Sequence, residues 1–202
     1  MFISFEGIDG CGKTTQLQLL NDYLIKLNHS VIAVREPGGT LISEKIREML
    51  LDSKNNICKT TEVFLFEAAR TELVQTIIAP AIKENKFVLS DRFIDSTLAY
   101  QGYGRELDVH AINILNAIAT KMLFPNITFY LQLPLSLAKQ RCSIKELDRI
   151  EQAGDVFLQK VIDGFDVIAF ENTDRIVIID ATQSIDKMFE DIIKELKNRN
   201  ML

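Results

Sequence analysis

An apolar run, Phe2 to Phe5, leads directly into Gly7, Ile8, Asp9, Gly10, Cys11, Gly12, Lys13 and Thr14, and from there into a stretch in which Leu17, Leu20, Leu24 and Leu27 recur at helical spacing. The eight residues fit the GxxxxGK[ST] pattern without a mismatch, and the pattern has physical meaning only where a strand precedes it and a helix follows. Its glycines let the backbone fold closely around a phosphate, so that amide hydrogens and the positive end of the helix point inward. Lys13 adds a charge and Thr14 a hydroxyl suited to magnesium. A phosphate-binding loop in a strand-loop-helix unit is therefore the first expectation.

The rest of the chain repeats that alternation. Short apolar runs at Val31 to Val34, Phe87 to Leu89, Ile127 to Leu133 and Ile176 to Ile179 read as buried strands. Between them lie helical patterns: Ile112, Leu115, Ile118 and Met122; Val161, Phe165 and Ile168; and Ile185, Met188, Phe189, Ile192 and Leu196. These stripes read as core. Strands alternating with helices predict a three-layer α/β fold, a parallel sheet of about five strands flanked by helices. With 202 residues and no repeat or Pro/Gly/Ser-rich linker, a single domain over 1–202 is expected. Pro80, inside the helical run from Glu62 to Lys83, predicts a kink or break near Ala79, and Gly102 and Gly104 predict a loop. The polar segment 141–154 reads as a mobile, charged lid.

Composition excludes several function classes. Lys plus Arg number 23 against 28 Asp plus Glu, a net charge of −5, so affinity for nucleic acid driven by overall charge is not expected. No basic leader with a cleavable apolar stretch opens the chain and no segment reaches about 18 uninterrupted apolar residues, so neither secretion nor membrane insertion is expected. Cys11, Cys58 and Cys142 lack metal-type spacing and are odd in number, which favours reduced thiols in the cytoplasm.

Two further segments extend the phosphate site. The run Lys86 to Arg92 reads as an apolar strand, Phe87 to Leu89, ending in Ser90, Asp91 and Arg92, and Asp91 is placed to hold magnesium through water, beside Thr14. Without the upstream loop, Asp91 and Arg92 would read as a surface ion pair worth under about 1 kcal/mol. Arg35, Glu36, Pro37, Gly38, Gly39 and Thr40 form a tight turn beside a cation suited to phosphate. Open parallel sheets gather ligands at the carboxyl ends of their strands, where Gly7, Arg35 and Asp91 would emerge.

Five blocks, FEGIDGCGKTT, REPGGT, FLFEAAR (Phe64 to Arg70), SDRFIDSTLAYQG (Ser90 to Gly102) and ELDRIEQ (Glu146 to Gln152), resemble those of the thymidylate kinases, a branch of the P-loop nucleoside monophosphate kinases. The resemblance implies transfer of the γ-phosphate of Mg-ATP to dTMP, giving dTDP for dTTP synthesis, with Mg2+ as cofactor and a homodimer as the assembly. ATP would lie on Gly7, Ile8, Asp9, Gly10, Cys11, Gly12, Lys13, Thr14 and Thr15. Asp9 would contact the sugar 3′-hydroxyl, or else orient the acceptor or its water shell, and Arg35 and Arg92 would hold the acceptor phosphate. Phe66 would stack on thymine, Arg70 and Gln101 would hydrogen-bond its edge, Thr97 would belong to the same dTMP set, and Tyr100 would crowd the position of a ribose 2′-hydroxyl. Taken alone, Phe66 would read as core and Arg70 as a solvated helix residue. The ring of Tyr103 is an alternative to that of Tyr100. The loop carries no arginine, so the cation for the transferring phosphate would come from the lid: Arg149 by preference, with Arg141 as helper near ATP and Lys145 as a further candidate. Lys13, Asp9, Arg92, Arg149 and Arg141 form the expected catalytic set.

A nucleotide-dependent switch protein would use the same loop, but Asn85 and Lys86 are followed by Phe87 and Val88, which breaks the guanine-reading NKxD pattern. Another small-molecule kinase of this fold differs only in the base-contact residues. Cys11, Cys58, Cys142, His29 and His110 receive no chemistry.

Overall fold

The computed structural model describes residues 1–142 and 148–202. Five strands, β1 (Phe2–Glu6), β2 (Val31–Arg35), β3 (Phe87–Asp91), β4 (Ile127–Gln132) and β5 (Ile176–Asp180), form one parallel sheet in the order β2-β3-β1-β4-β5. Its helices are α1 (Lys13–Lys26), α2 (Leu41–Leu51), α3 (Lys59–Leu73), α4 (Ala79–Lys83), α5 (Ile94–Thr97), α6 (Val109–Thr120), α7 (Leu135–Cys142), α8 (Asp155–Glu171) and α9 (Ile185–Asn198).

The three central strands are buried along almost their whole length, while the edge strands β2 and β5 are only partly so. That is why β1 and β4 read as near-continuous apolar runs. Side chains alternate between the layers: Ile3 and Phe5 pack with Leu20, Leu24, Phe129, Val161 and Phe165, whereas Phe2 and Val88 pack with Leu73, Val74 and Ile78. Buried polar side chains in the sheet find each other, as Ser4 and Thr128 do at 2.7 Å between hydroxyls. Register brings the functional ends together, for Asp91 lies opposite Phe5 of β1 on one side and Arg35 of β2 on the other.

Three expectations need correction. The helical run through Pro80 does not break at Ala79; it widens into a π-helical turn over Val74–Ile78, one turn earlier, and α4 continues beyond it. A proline lacks the N–H that an α-turn would use, and the wider turn accommodates that loss without leaving the helix. The Gly102 and Gly104 region is likewise no loop, since Leu98–Gly104 prolongs α5 as π-helix. Its glycines answer to packing: a Cβ on Gly104 would lie 2.6 Å from the Phe157 ring of α8. Finally, the α6 stripe is only partly core. Ile112 is buried, but Ile118 and Met122 are 68% and 67% exposed, joined by Ile114 at 49%. In the lid, α7 reaches Cys142 and a 3-10 turn forms at Glu151–Ala153; Lys145 falls outside the described residues.

Candidate active site

The loop leaves β1 at Glu6 and its shape demands glycine. Gly7 has φ +134°, and a Cβ there would meet Leu131 O at 2.7 Å; at Gly10 (φ +83°) it would meet Cys142 Sγ at 2.9 Å. Lys13 opens α1 and folds back under the loop, donating to Gly7 O at 3.0 Å and Ile8 O at 3.1 Å, with Asp9 Oδ1 at 3.5 Å. Burial and the Arg92 charge press the Lys13 pKa down, Cys11, Asp9 and Asp91 press it up, and the balance is upward, so the ammonium stays charged. Ile8 and Cys11 turn their side chains into the core. Burial pushes the Cys11 thiol up, which keeps it protonated and unreactive.

Thr14 Oγ1 donates to Asp91 Oδ2 at 2.6 Å. A hydroxyl and a carboxylate this close, at the mouth of a phosphate loop, suit Mg2+, which takes few protein ligands and completes its shell with phosphate and water. No group of three or more His, Cys, Asp or Glu that could hold a metal by itself occurs among the described residues.

Arg92 follows Asp91 in a left-handed conformation, φ +72°. For a residue with a side chain this costs energy, and three hydrogen bonds hold it: Arg92 N to Phe5 O at 2.9 Å, Ser90 Oγ to Arg92 O at 2.6 Å, and Phe93 N to Glu6 Oε1 at 2.7 Å. The guanidinium is thereby aimed at the loop, where Nη1 donates to Gly7 O (2.9 Å) and Nη2 to Asp9 Oδ1 (2.8 Å) and Tyr100 Oη (3.2 Å). Burial, against the pull of Arg92, takes the Tyr100 phenol up to about 12. Glu6 is a residue that sequence reasoning passed over; burial and the neighbouring Asp95 push its carboxyl up to about 8. The one available signal was a glutamate closing an otherwise apolar strand.

Arg70 is the surprise of the acceptor side. Far from solvated, it is 2% exposed. Nε donates to Glu36 Oε2 (2.8 Å), Nη1 to Glu67 Oε1 (2.7 Å), Thr97 Oγ1 (2.9 Å) and Asn116 Oδ1 (2.8 Å), and Nη2 to Phe93 O (3.0 Å). Burial lifts Glu36 to about 7 and raises Glu67 as well, despite Arg70. Gln101 Nε2 donates to Glu62 Oε1 at 2.9 Å.

One cavity of about 520 Å³ unites these parts. The loop, the start of α1 and the end of β3 contribute Asp9, Gly10, Gly12, Lys13, Thr14, Thr15, Asp91 and Arg92, which we call one arm; α3 and α5 with its π-helical extension contribute Phe66, Arg70, Thr97, Tyr100 and Gln101, the other; Arg35 and Arg141 also line it. Arg35 is held by both Glu44 oxygens at 3.0 and 3.1 Å, and Arg141 Nη1 donates to Gly10 O at 3.3 Å. Arg47, also missed, lines the cavity while donating to Pro37 O at 2.7 Å. The ring of Tyr103 lies elsewhere, against Gly164 of α8. Arg149, the favoured lid cation, is not brought to the loop. Its backbone N and Nε bond to Leu51 O (3.1 Å) and Leu50 O (2.7 Å) at the end of α2, and Nη2 pairs with Glu62 Oε2 at 2.7 Å.

A parallel sheet whose central strand feeds a lysine-bearing phosphate loop, facing a second arm with an aromatic ring and a buried arginine, defines a P-loop kinase of the nucleoside monophosphate class. The chain belongs to the thymidylate kinase family, whose model, described as thymidylate kinase, matches residues 5–192. It is 47% identical over 192 residues to a thymidylate kinase of Thermosipho africanus, covering 95% of each chain. Identity is 44% over 196 residues to one of Thermoanaerobacter sp., covering 97% of each. The crystal structure of thymidylate kinase from Ehrlichia chaffeensis superposes with a TM-score of 0.79 at 38% identity, covering 97% of this chain and 98% of that one.

Proposed function

We propose that dTMP lies in the arm formed by Phe66, Arg70, Thr97, Tyr100 and Gln101, that ATP lies over the loop from Gly7 to Thr15, and that the two meet at Lys13, Arg92 and Arg141. The reaction is transfer of the ATP γ-phosphoryl group to a 5′-phosphate oxygen of dTMP, giving ADP and dTDP. The observation that carries this reading is the single cavity shared by the phosphate loop and the arm bearing Phe66, Arg70 and Gln101.

Phosphoryl transfer asks the protein for position and charge rather than for a nucleophile. Lys13 and the loop amides cradle the donor phosphates. Arg92, with its backbone held in one conformation, and Arg35 take the acceptor phosphate, and Asp9 accepts the sugar 3′-hydroxyl while sharing Arg92. Arg141, tethered to the Gly10 carbonyl, supplies the lid cation for the transferring group, and Arg149 fastens the lid to α2 instead. Phe66 offers its ring to thymine, and the Tyr100 ring narrows the space for a 2′-hydroxyl. Thr14 and Asp91 would hold Mg2+, whose charge would offset that of the phosphates. The exposed apolar residues Ile114, Ile118 and Met122 on and beyond α6 fit a homodimer interface. Cys11 and Cys58 form no disulfide, which fits the cytoplasm.

Incubation with Mg-ATP and dTMP, dUMP, AMP, CMP, GMP or shikimate, with ADP as readout, tests the reading. Turnover is expected to be far higher with dTMP than with the purine or non-nucleotide acceptors; equal turnover of AMP or shikimate overturns it.

A further inference from the structure

Glu62, on the first turn of α3, is 1% exposed and does not line the cavity, yet it holds a residue that does. Oε1 accepts from Gln101 Nε2 at 2.9 Å and from Arg105 Nε at 3.1 Å, while Oε2 accepts from Arg105 Nη2 at 3.1 Å and pairs with Arg149 Nη2 at 2.7 Å. Burial works to raise its pKa, but the bonds from Arg105, Gln101 and Arg149 outweigh burial, and the value is lowered, so the group is ionised at neutral pH.

An ionised carboxylate can only accept. A carboxamide beside it therefore has one allowed orientation, nitrogen towards the carboxylate and oxygen away. Gln101 lines the cavity, one of its two Nε2 hydrogens is committed to Glu62, and no donor among the described residues bonds to its Oε1. The end of the amide turned away from Glu62 is the acceptor. Arg70, on the same arm, has no acceptor to offer at all.

We propose that Glu62 is a positioning residue that sets which base the pocket accepts. By fixing the Gln101 oxygen towards the cavity, it turns that wall into an acceptor, beside an Arg70 whose N–H groups are taken up by Glu36, Glu67, Thr97, Asn116 and Phe93. Thymine and uracil match this wall, with a ring N3–H for the amide oxygen. Cytosine opposes it, because its N3 is a bare lone pair. Glutamine at position 62 would abolish the distinction, since it can donate as well as accept and would let the Gln101 amide turn over. The inference rests on the proposal that Gln101 contacts the base.

The test compares kcat/KM for dTMP and dCMP, with Mg-ATP, in wild type and in Glu62→Gln, Glu62→Asp, Arg105→Gln and Gln101→Ala. Because both values come from one preparation, their ratio cancels the fraction of folded enzyme and survives partial loss of stability. In Glu62→Gln the preference for dTMP over dCMP should fall by about tenfold or more, through KM for the acceptor, with KM for ATP within about twofold of wild type. Glu62→Asp still offers only acceptor oxygens and should keep the preference within about threefold. Arg105→Gln removes two bonds to Glu62 that help to keep it ionised, and should lower Tm and weaken the preference in the same direction as Glu62→Gln, but by less. A preference in Glu62→Gln within about twofold of wild type, with Gln101→Ala impaired for dTMP, overturns the inference. If Gln101→Ala binds dTMP as wild type does, the base-contact reading beneath it fails instead.

Discussion

Replacing Arg70 with methionine tests the acceptor arm where its energetics are most exposed. Methionine keeps much of the aliphatic volume, so the cavity term is small and the loss is chiefly electrostatic. The guanidinium is 2% exposed and faces two carboxylates, Glu36 and Glu67, each 6% exposed. Breaking a buried ion pair from one side leaves the other charge uncompensated, which costs about 3–5 kcal/mol. For a chain of this size, where 1 kcal/mol moves Tm by about 2–4 °C, that is a drop of roughly 6–20 °C. The pH dependence has a definite sign. With Arg70 present Glu36 already sits at about 7, against an ordinary 4.5, because burial outweighs the arginine; without it, Glu36 and Glu67 both rise further. A carboxyl whose folded value is raised stabilises the fold fully below the unfolded value and loses that contribution as pH climbs through the folded one. The deficit of Arg70→Met should therefore be largest near pH 8 and shrink towards pH 5, where both carboxyls take up protons. Calorimetry of both proteins across that range reads it directly. A Tm difference under about 3 °C at pH 8, or one of equal size at pH 5 and pH 8, would refute the reasoning.

Lys13→Ala should retain the wild-type circular dichroism and lose about a hundredfold to a thousandfold in kcat/KM, since the charge lost lies beneath the phosphate loop; near-normal turnover of the folded variant would refute the site. The two lid arginines should part company under kinetics and calorimetry. Arg141→Met should lower kcat by about a hundredfold with dTMP affinity little changed, while Arg149→Met should lower Tm through its lost bonds to Leu50 and Glu62 and lower kcat less. The reverse pattern would restore Arg149 to the transferring phosphate.

The sheet and the loop were legible in the sequence because their signals are local. All five strands are short, mostly apolar runs, and the structure extends or trims them by only a residue or two, as at Glu6, Arg35 and Asp91. The loop octet carries its own geometry, for only glycine tolerates the close approach of Leu131 O at position 7. What escaped depends on partners distant in the chain. Gly104 signals a loop by composition, yet it is small because Phe157 and Val161 press on it from α8. Ile118 and Met122 carry helical spacing, but periodicity reports that a face is apolar and says nothing of what covers it. Arg149 stands in a block that marks it as important, and a motif cannot distinguish a cation that meets phosphate from one that meets Leu50 and Glu62. Glu62 has no local signature and Glu6 only its place at the end of a mostly apolar strand, because a glutamate's burial follows from donors such as Phe93 N and Arg105, which lie far away in sequence.

The way the site holds its cations explains how a chain with net charge −5 can gather two polyanions. Lys13 is fixed by the carbonyls of Gly7 and Ile8, Arg92 by that of Gly7, and Arg141 by that of Gly10. These acceptors are neutral dipoles, so they set direction without cancelling charge. The carboxylate among them is Asp9, shared between Arg92 at 2.8 Å and Lys13 at 3.5 Å, and it is also the group assigned to the sugar hydroxyl. Elsewhere the arrangement is the opposite. Arg70 is balanced by Glu36 and Glu67, and Arg175 by Asp95 through bonds of 2.7 and 2.8 Å. Arginines away from the phosphate loop meet carboxylates, Arg35 with Glu44 among them, whereas Lys13, Arg92 and Arg141, which face the loop, meet mostly backbone oxygen. A cation braced by neutral oxygen keeps its field for the phosphate, and in a partly desolvated cleft that field counts for more than it would in water. By this criterion Arg149, paired with Glu62, belongs with the fold, and Arg141 belongs with the chemistry.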